Sequence, residues 1–496
     1  MTTATDVSVA REVVPPQKQS PKDWIILGVF LVVAIACVAM ILSPGASRTA
    51  TGGYAIVLML VLMFAKVPVA FALSLPGLLG IYALAGSAAA TTVLGDLPMT
   101  ASAQWSLSAI PMFVFMGLLL WSSGMTASLY TSARHWLGWL PGGLAVGTNA
   151  AGAGLAAMSG STIGVTYALG RIGIPEMLKA GYDRRLAIGA VVVASLPGQL
   201  IPPSIMLVIY AGIAQVPVGP QLMAGFGPGI FIVLMMGLML VGIALVWPKV
   251  GGRSADVVRP KSSWRDRIAA LPAFLPLLII IGIVLGGILT GALTATEAGA
   301  AGAFAALIMA VGIKLMRGER PFAMVKEAAV STVATTGAIF LLLIGAHMLA
   351  QLLAISGLGA LFTTWVTDMG LSQVQFLLFM MVAYLVMGMF MDPLSMMLLT
   401  VPLLLPVMSA LEISPLWFGV FAVFMGELAV LTPPVGILSY IIHSIAQDES
   451  VNLGQKISLG DVFMAVAWFM PVILLSTVLL ILFPEIATWL PDQMAP

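Results

Sequence analysis

Ala157-Met158-Ser159-Gly160-Ser161-Thr162 and, downstream, Leu200-Ile201-Pro202-Pro203-Ser204 decide how this chain is read. Both stretches lie in strongly apolar surroundings. The first is a run of small and hydroxyl-bearing residues. The second is a double proline, which removes backbone donors and clashes with the preceding helical turn. Inside a bilayer, backbone groups freed in this way need partners from protein, water or an ion. A broken segment at membrane depth is therefore a packing irregularity or a binding site, and the recurrence of the pattern in the second half of the chain favours a site.

Composition sets the class. Of 496 residues, 60% are hydrophobic and 8% charged, against about 25% charged in a soluble domain. So large an apolar excess predicts a polytopic membrane protein in contact with the lipid bilayer. A net charge of +1 argues against nucleic acid as a partner. The single cysteine, Cys37, excludes an intramolecular disulfide framework and a cysteine metal cluster, and three histidines make histidine-based metal chemistry a poor fit. No HExxH, GxSxG or P-loop pattern sits in a plausible context. The expectation is a non-enzyme without an ATPase segment, its energy coming from a gradient or another source.

The polar tail over residues 1–23 does not read as a signal peptide, and an uncleaved helix is expected over Trp24–Leu42, long enough to span about 30 Å. With its linker it occupies residues 24–52. A first repeat is expected over 53–248, with a hairpin tip near 159–162 and a broken helix over 186–216. A basic cytoplasmic loop covers 249–267, and a second repeat 268–491 has its tip near 388–395 and its broken helix over 417–446. Gly86–Gln104 reads as a polar, small-residue connection.

The repeats are visible as a shift of 231 residues, which aligns Pro202-Pro203 with Pro433-Pro434 by choice. Pro175 then falls on Pro406, and Lys66 on Glu297, without being chosen. Arg134, His135, Lys179, Arg184 and Arg185 flank the first interrupted segment, whereas Asp368 and Glu412 flank the second. Positive residues mark the cytoplasmic side, so the two halves should enter the membrane from opposite sides. An all-α protein of two inverted repeats, each with a re-entrant hairpin and a proline-broken helix, carries the signature of a secondary transporter.

Each motif has a functional and a bland reading. Ser159-Gly160-Ser161-Thr162 offers carbonyl and hydroxyl oxygens to a hard cation such as sodium, or provides small-residue helix packing. The double prolines are hinge kinks or binding-site breaks, and the half-helix after each break turns its positive end inward, suited to an anionic group. Asp392 is an ionisable group in an apolar context, or an N-cap for the helix after Pro393; both can hold. Glu427 is a ligand or pairs with another polar group. Glu297 fits a cap, and His347 a packed polar residue.

The ordered set Ser159-Gly160-Ser161, Gly181-Tyr182-Asp183, Leu200-Ile201-Pro202-Pro203-Ser204, Leu293-Thr294-Ala295-Thr296-Glu297-Ala298, Gly388-Met389-Phe390-Met391-Asp392-Pro393 and Leu431-Thr432-Pro433-Pro434-Val435-Gly436 resembles the large membrane subunit of tripartite ATP-independent periplasmic (TRAP) transporters. The resemblance implies a sodium-coupled elevator importer of a small organic acid in a bacterial inner membrane. Na+ is then the coupling ion and no other cofactor is expected. It also implies a periplasmic substrate-binding protein and a small four-helix membrane subunit as partners. Carried over, one sodium site falls near Ser159, Gly160, Ser161, Gly198 and Pro202, the other near Asp392, Thr432, Pro433 and Gly436, with Thr162, Ser204 and Glu427 facing the substrate. Thr162 stands where the family often has a second serine. The helix Trp24–Leu42 precedes the family's usual start, making this an extended large subunit; one helix is too little for a complete fused small subunit, so that subunit is expected as a separate chain. A stand-alone carboxylate carrier of the same architecture is the alternative, and C4-dicarboxylates, keto acids and sugar acids all stay open.

Overall fold

The computed structural model describes residues 21–252, 262–433 and 436–494. Residues 253–261 of the basic loop, together with Pro434, Val435, the polar tail up to residue 20 and the last two residues, lie outside them. The described residues are helical throughout, with one isolated bridge between Tyr182 and Gly251. Eight of these helices are long and apolar enough to cross a membrane. Large apolar side chains such as Phe304, Leu238 and Val333 stand on the outside, which water would disfavour and lipid does not. The expected class, an all-α multi-pass membrane protein, is the observed one.

The chain opens with Pro21–Ile41, Arg48–Phe64 and Val69–Ser102. Ser47 caps the second of these, accepting from the Ala50 N–H at 3.2 Å, and Lys66 makes the next turn with φ 65°. The stretch Gly86–Gln104 is not the connection its composition predicts. Only Gly86 leaves helical geometry, at φ 84° and ψ 177°, and the helix resumes to Ser102. Alanine is the best helix former, and the Thr91 and Thr92 hydroxyls turn back onto the Ser87 and Ala88 carbonyls at 2.9 Å, so the small polar residues there are helix-compatible.

The shift of 231 that aligns the prolines also aligns helices that were not used to choose it. Thr126–Leu137 falls on Leu358–Asp368, the hairpin arms Gly143–Ser159 and Thr162–Lys179 on Gln373–Gly388 and Pro393–Ala410, and Arg184–Ser195 with Ile205–Ala214 on Pro415–Ala429 with Ile437–Ala446, within a few residues at each end. Each hairpin is thus followed by a helix in two pieces.

The two broken helices run in opposite directions. Near the end of the first, the Tyr210 hydroxyl donates to the Pro415 carbonyl at 2.6 Å, at the start of the second. Nearby, the Gln221 amide donates to the Leu416 carbonyl at 3.1 Å. At the opposite end, Arg184 and Arg185, which begin the first broken helix, each reach Asp461 at 3.1 Å, and Arg184 donates to the Lys456 carbonyl at 2.8 Å. Lys456 lies in the connection that leaves the second broken helix, and Asp461 in the first turn of the helix that follows it, Leu459–Leu482. The end of the first thus meets the start of the second, and the start of the first meets the segment that follows the second, as inverted repeats require.

Where each hairpin meets its own broken helix the backbones touch. A Cβ on Gly198 would lie 2.0 Å from the Ala156 Cβ, and one on Gly388 would lie 2.1 Å from the Ala429 Cβ. The glycine sits on the broken helix in the first repeat and on the hairpin in the second. Glycine and alanine allow this approach, the usual way helices pack where lipid supplies little hydrophobic drive.

Candidate functional site

Gly160 ends the first hairpin's descending arm in the left-handed region, at φ 57°, which glycine adopts without steric cost. Ser161 then caps the returning arm, its hydroxyl oxygen accepting from the Gly164 N–H at 3.2 Å. The tip rests on the first break: a Cβ on Gly160 would lie 3.7 Å from the Pro203 carbonyl oxygen and 3.4 Å from Ile205.

In that break, Leu196–Gln199 tightens into a 3-10 turn, and Ile201, Pro202 and Pro203 belong to no helix. Ser204 restarts the helix, accepting from the Leu207 N–H at 3.2 Å and donating to the Gln199 carbonyl. The Gln199 side-chain amide in turn donates to the Gly160 carbonyl at 2.9 Å, while its Oε1 is buried with no partner.

The second tip is built differently. Asp392 caps Pro393–Ala410: its Oδ1 accepts from the Ser395 N–H at 3.0 Å, and its Oδ2 accepts from the Ser395 hydroxyl. In the second break the Thr432 hydroxyl donates to the Leu428 carbonyl at 2.9 Å, and the Gly436 N–H donates to the Thr432 carbonyl at 3.1 Å. No side chain caps the half-helix that begins at Ile437.

Both tips and both broken helices wall a cavity of about 260 Å³. Gly160, Ser161 and Thr162 come from the first tip, Asp392 from the second, Gln199 from the first break and Glu427 from the second broken helix. Of the residues singled out in the sequence, these five are brought together: Gly160, Ser161, Thr162, Asp392 and Glu427. Gly198, Pro202, Ser204, Thr432, Pro433 and Gly436 stand behind the wall in the two breaks, and Ser159 ends the arm just before Gly160. The Ser204 hydroxyl is taken up by its cap.

Gln199 was bracketed by its neighbours but not named. Its signal was available: it is an amide at a break flanked by apolar residues. Glu427 is 3% exposed, and its Oε2 accepts from the Thr162 hydroxyl at 2.6 Å, joining the second broken helix to the first tip. Among the described residues, the wall carries two carboxylates and no Lys, Arg or His, and the rest of it is largely apolar. Carboxylate and hydroxyl oxygens gathered in such a space suit a hard cation.

His347, in Phe322–Ser356, is not on this wall. Its Nδ1 lies 2.8 Å from the Leu343 carbonyl, one turn back in its own helix. Glu297 is a cap, its Oε2 accepting from the Thr294 N–H at 2.8 Å.

The comparisons with known proteins agree on the family. Residues 56–486 match the family of the tripartite ATP-independent periplasmic transporter, DctM component. The C4-dicarboxylate TRAP transporter large permease protein DctM of Pseudomonas aeruginosa is 30% identical over 79% of this chain and 87% of its own length. The ectoine TRAP transporter large permease protein TeaC of Halomonas elongata is 28% identical over 88% and 97%. The sialic acid counterpart SiaM of Vibrio cholerae is 28% identical over 77% and 87%. In fold, the chain is similar to the Alcanivorax borkumensis YdaH transporter, with a TM-score of 0.58 at 17% identity over 80% of this chain and 87% of that one. With a match across most of its length, eight helices able to span a membrane and two inverted repeats meeting at one cavity, the chain belongs to the large permease subunits of TRAP transporters, multi-pass proteins of the bacterial inner membrane.

Proposed function

We propose that this chain is the permease of a sodium-coupled importer of a small organic acid. The observation that supports this best is the 260 Å³ cavity on which both hairpin tips and both broken helices converge. One sodium ion sits between the first tip, Ser159 to Ser161, and the first break around Gly198 and Pro202. The other sits between Asp392 and the second break at Thr432, Pro433 and Gly436. Breaks of this kind leave carbonyl oxygens free for an ion.

The cargo occupies the cavity, with Thr162 and Glu427 on its wall and Ser204 behind it, holding the restart of the broken helix. With no basic side chain among the described residues of the wall, a cargo carboxylate relies on the bound ions and on the positive dipole end of the half-helix that begins at Ile437. Ion and cargo binding thereby depend on one another. Relatives named for C4-dicarboxylate, ectoine and sialic acid share this frame, so the cargo here is fixed by the wall rather than by the fold.

The two hairpins and broken helices move together against the long helices Val69–Ser102 and Phe322–Ser356, an elevator. A periplasmic binding protein delivers the cargo, and a small membrane subunit completes the complex. The test is uptake into proteoliposomes containing this chain, its small subunit and its binding protein. Uptake is expected to follow an inward sodium gradient and to vanish when potassium replaces sodium; equal uptake in both would remove sodium from the mechanism. Uptake without the binding protein would instead favour a stand-alone carrier.

A further inference from the structure

The two tips differ in how they are tied. Asp392 directs both carboxylate oxygens to Ser395, within its own helix. The first tip is tied on two sides: Gln199 holds the Gly160 carbonyl from the first break, and Thr162, two residues on, donates to Glu427 in the other repeat. Glu427 lies three residues before Val430, where the second helix breaks. Hydrogen bonds, joined by the backbone of Gln199 and of the tip from Gly160 to Thr162, therefore link Ser204 in the first break to the first tip and on to the second broken helix.

From these ties we infer that the Thr162–Glu427 hydrogen bond couples the two ion sites, with Glu427, besides lining the cargo space, acting as a positioning residue. This rests on the sodium sites proposed above. Thr162 and Glu427 are 5% and 3% exposed, and among the described residues no ion pair includes Glu427. Breaking the bond would strand a buried carboxylate, which costs more than an ordinary hydrogen bond is worth. The bond therefore persists, and an ion that orders Gly160 and Ser161 also orders the approach to Thr432 and Gly436. Among the described residues, the other polar links between the repeats near these helices, Tyr210 to Pro415, Gln221 to Leu416, Arg184 to Lys456, and Arg184 and Arg185 to Asp461, lie at the far ends of the broken helices and do not touch a tip.

The test is equilibrium binding of radioactive sodium to the purified full-length transporter, with choline chloride holding ionic strength constant. The natural protein should bind with a Hill coefficient above 1. Thr162→Val and Glu427→Ala should each bring it to about 1 and raise half-saturating sodium roughly three- to tenfold, the size of one ordinary hydrogen bond. The double variant should be no worse than the poorer single one, because both remove the same link. Glu427→Gln, whose carboxamide oxygen still accepts from Thr162, should stay cooperative, as should Thr162→Ser. A purely structural role would not produce this rescue. Folded Thr162→Val protein with undiminished cooperativity, or fully additive losses, would overturn the coupling while leaving the sodium sites standing. No saturable sodium binding by the natural protein would instead remove those sites, and the coupling with them.

Discussion

Asp392 shows how one side chain can satisfy two readings. The sequence offered a membrane carboxylate or a helix cap, and the structure displays the cap, with Ser395 on both oxygens. The proposed ionic role is separable by substitution. Asn and Asp are nearly equal as caps, whereas Ala costs about 1 kcal/mol. Asp392→Asn should therefore melt within a few degrees of the natural protein yet need more sodium for half-maximal uptake, and Asp392→Ala should lose on both counts. If Asp392→Asn transports with unaltered sodium dependence, the residue is a cap alone. Glu427 was legible only as a costly group in an apolar run, because its partner lies 265 positions away and no local pattern carries that distance. Gln199 was hidden for the opposite reason: the prolines beside it drew the reading, and an amide carries no charge to mark it.

At the scale of elements, proline and glycine were reliable punctuation where they broke the backbone and misleading where they did not. The double prolines marked both breaks because no helix accommodates them without losing hydrogen bonds. Gly86–Gln104 was misread because small polar residues resemble a linker, yet their hydroxyls bond to the helix's own carbonyls. The close contacts at Gly198 and Gly388 lead to a paired expectation. Replacing either with alanine puts a methyl group about 2 Å from another Cβ, and overpacking of this kind costs typically 1–3 kcal/mol. Gly198→Ala and Gly388→Ala should each lower the melting temperature or the yield of folded protein. Gly282→Ala, with nothing within 4 Å, should leave both unchanged. Equal stability of all three would mean that the hairpins do not press on the broken helices.

For the whole molecule, the inverted arrangement was legible from where lysine and arginine fall, because charge is costly to move across lipid. The clasp that holds its basic end was not, since Arg184 and Asp461 are 277 residues apart. Asp461 is nearly buried, while its two arginines are more than a third exposed. Removing the acid therefore costs less than breaking a fully buried pair, roughly 1–3 kcal/mol. Asp461→Asn should lower thermal stability and leave the sodium concentration for half-maximal uptake where it was. A shift in that concentration without a change in stability would place Asp461 in the transport cycle instead.

The same long-range pairing has a consequence in time. Thr162 leaves the ribosome 265 residues before Glu427. At about 5–20 residues per second, that is a delay of roughly 13–53 seconds. Throughout it, the amino-terminal half sits in the membrane with an unpartnered tip and an interrupted rod. Biogenesis must shelter that half until its mirror image arrives, so insertion, rather than the finished structure, is the stage at which many damaging substitutions will be felt.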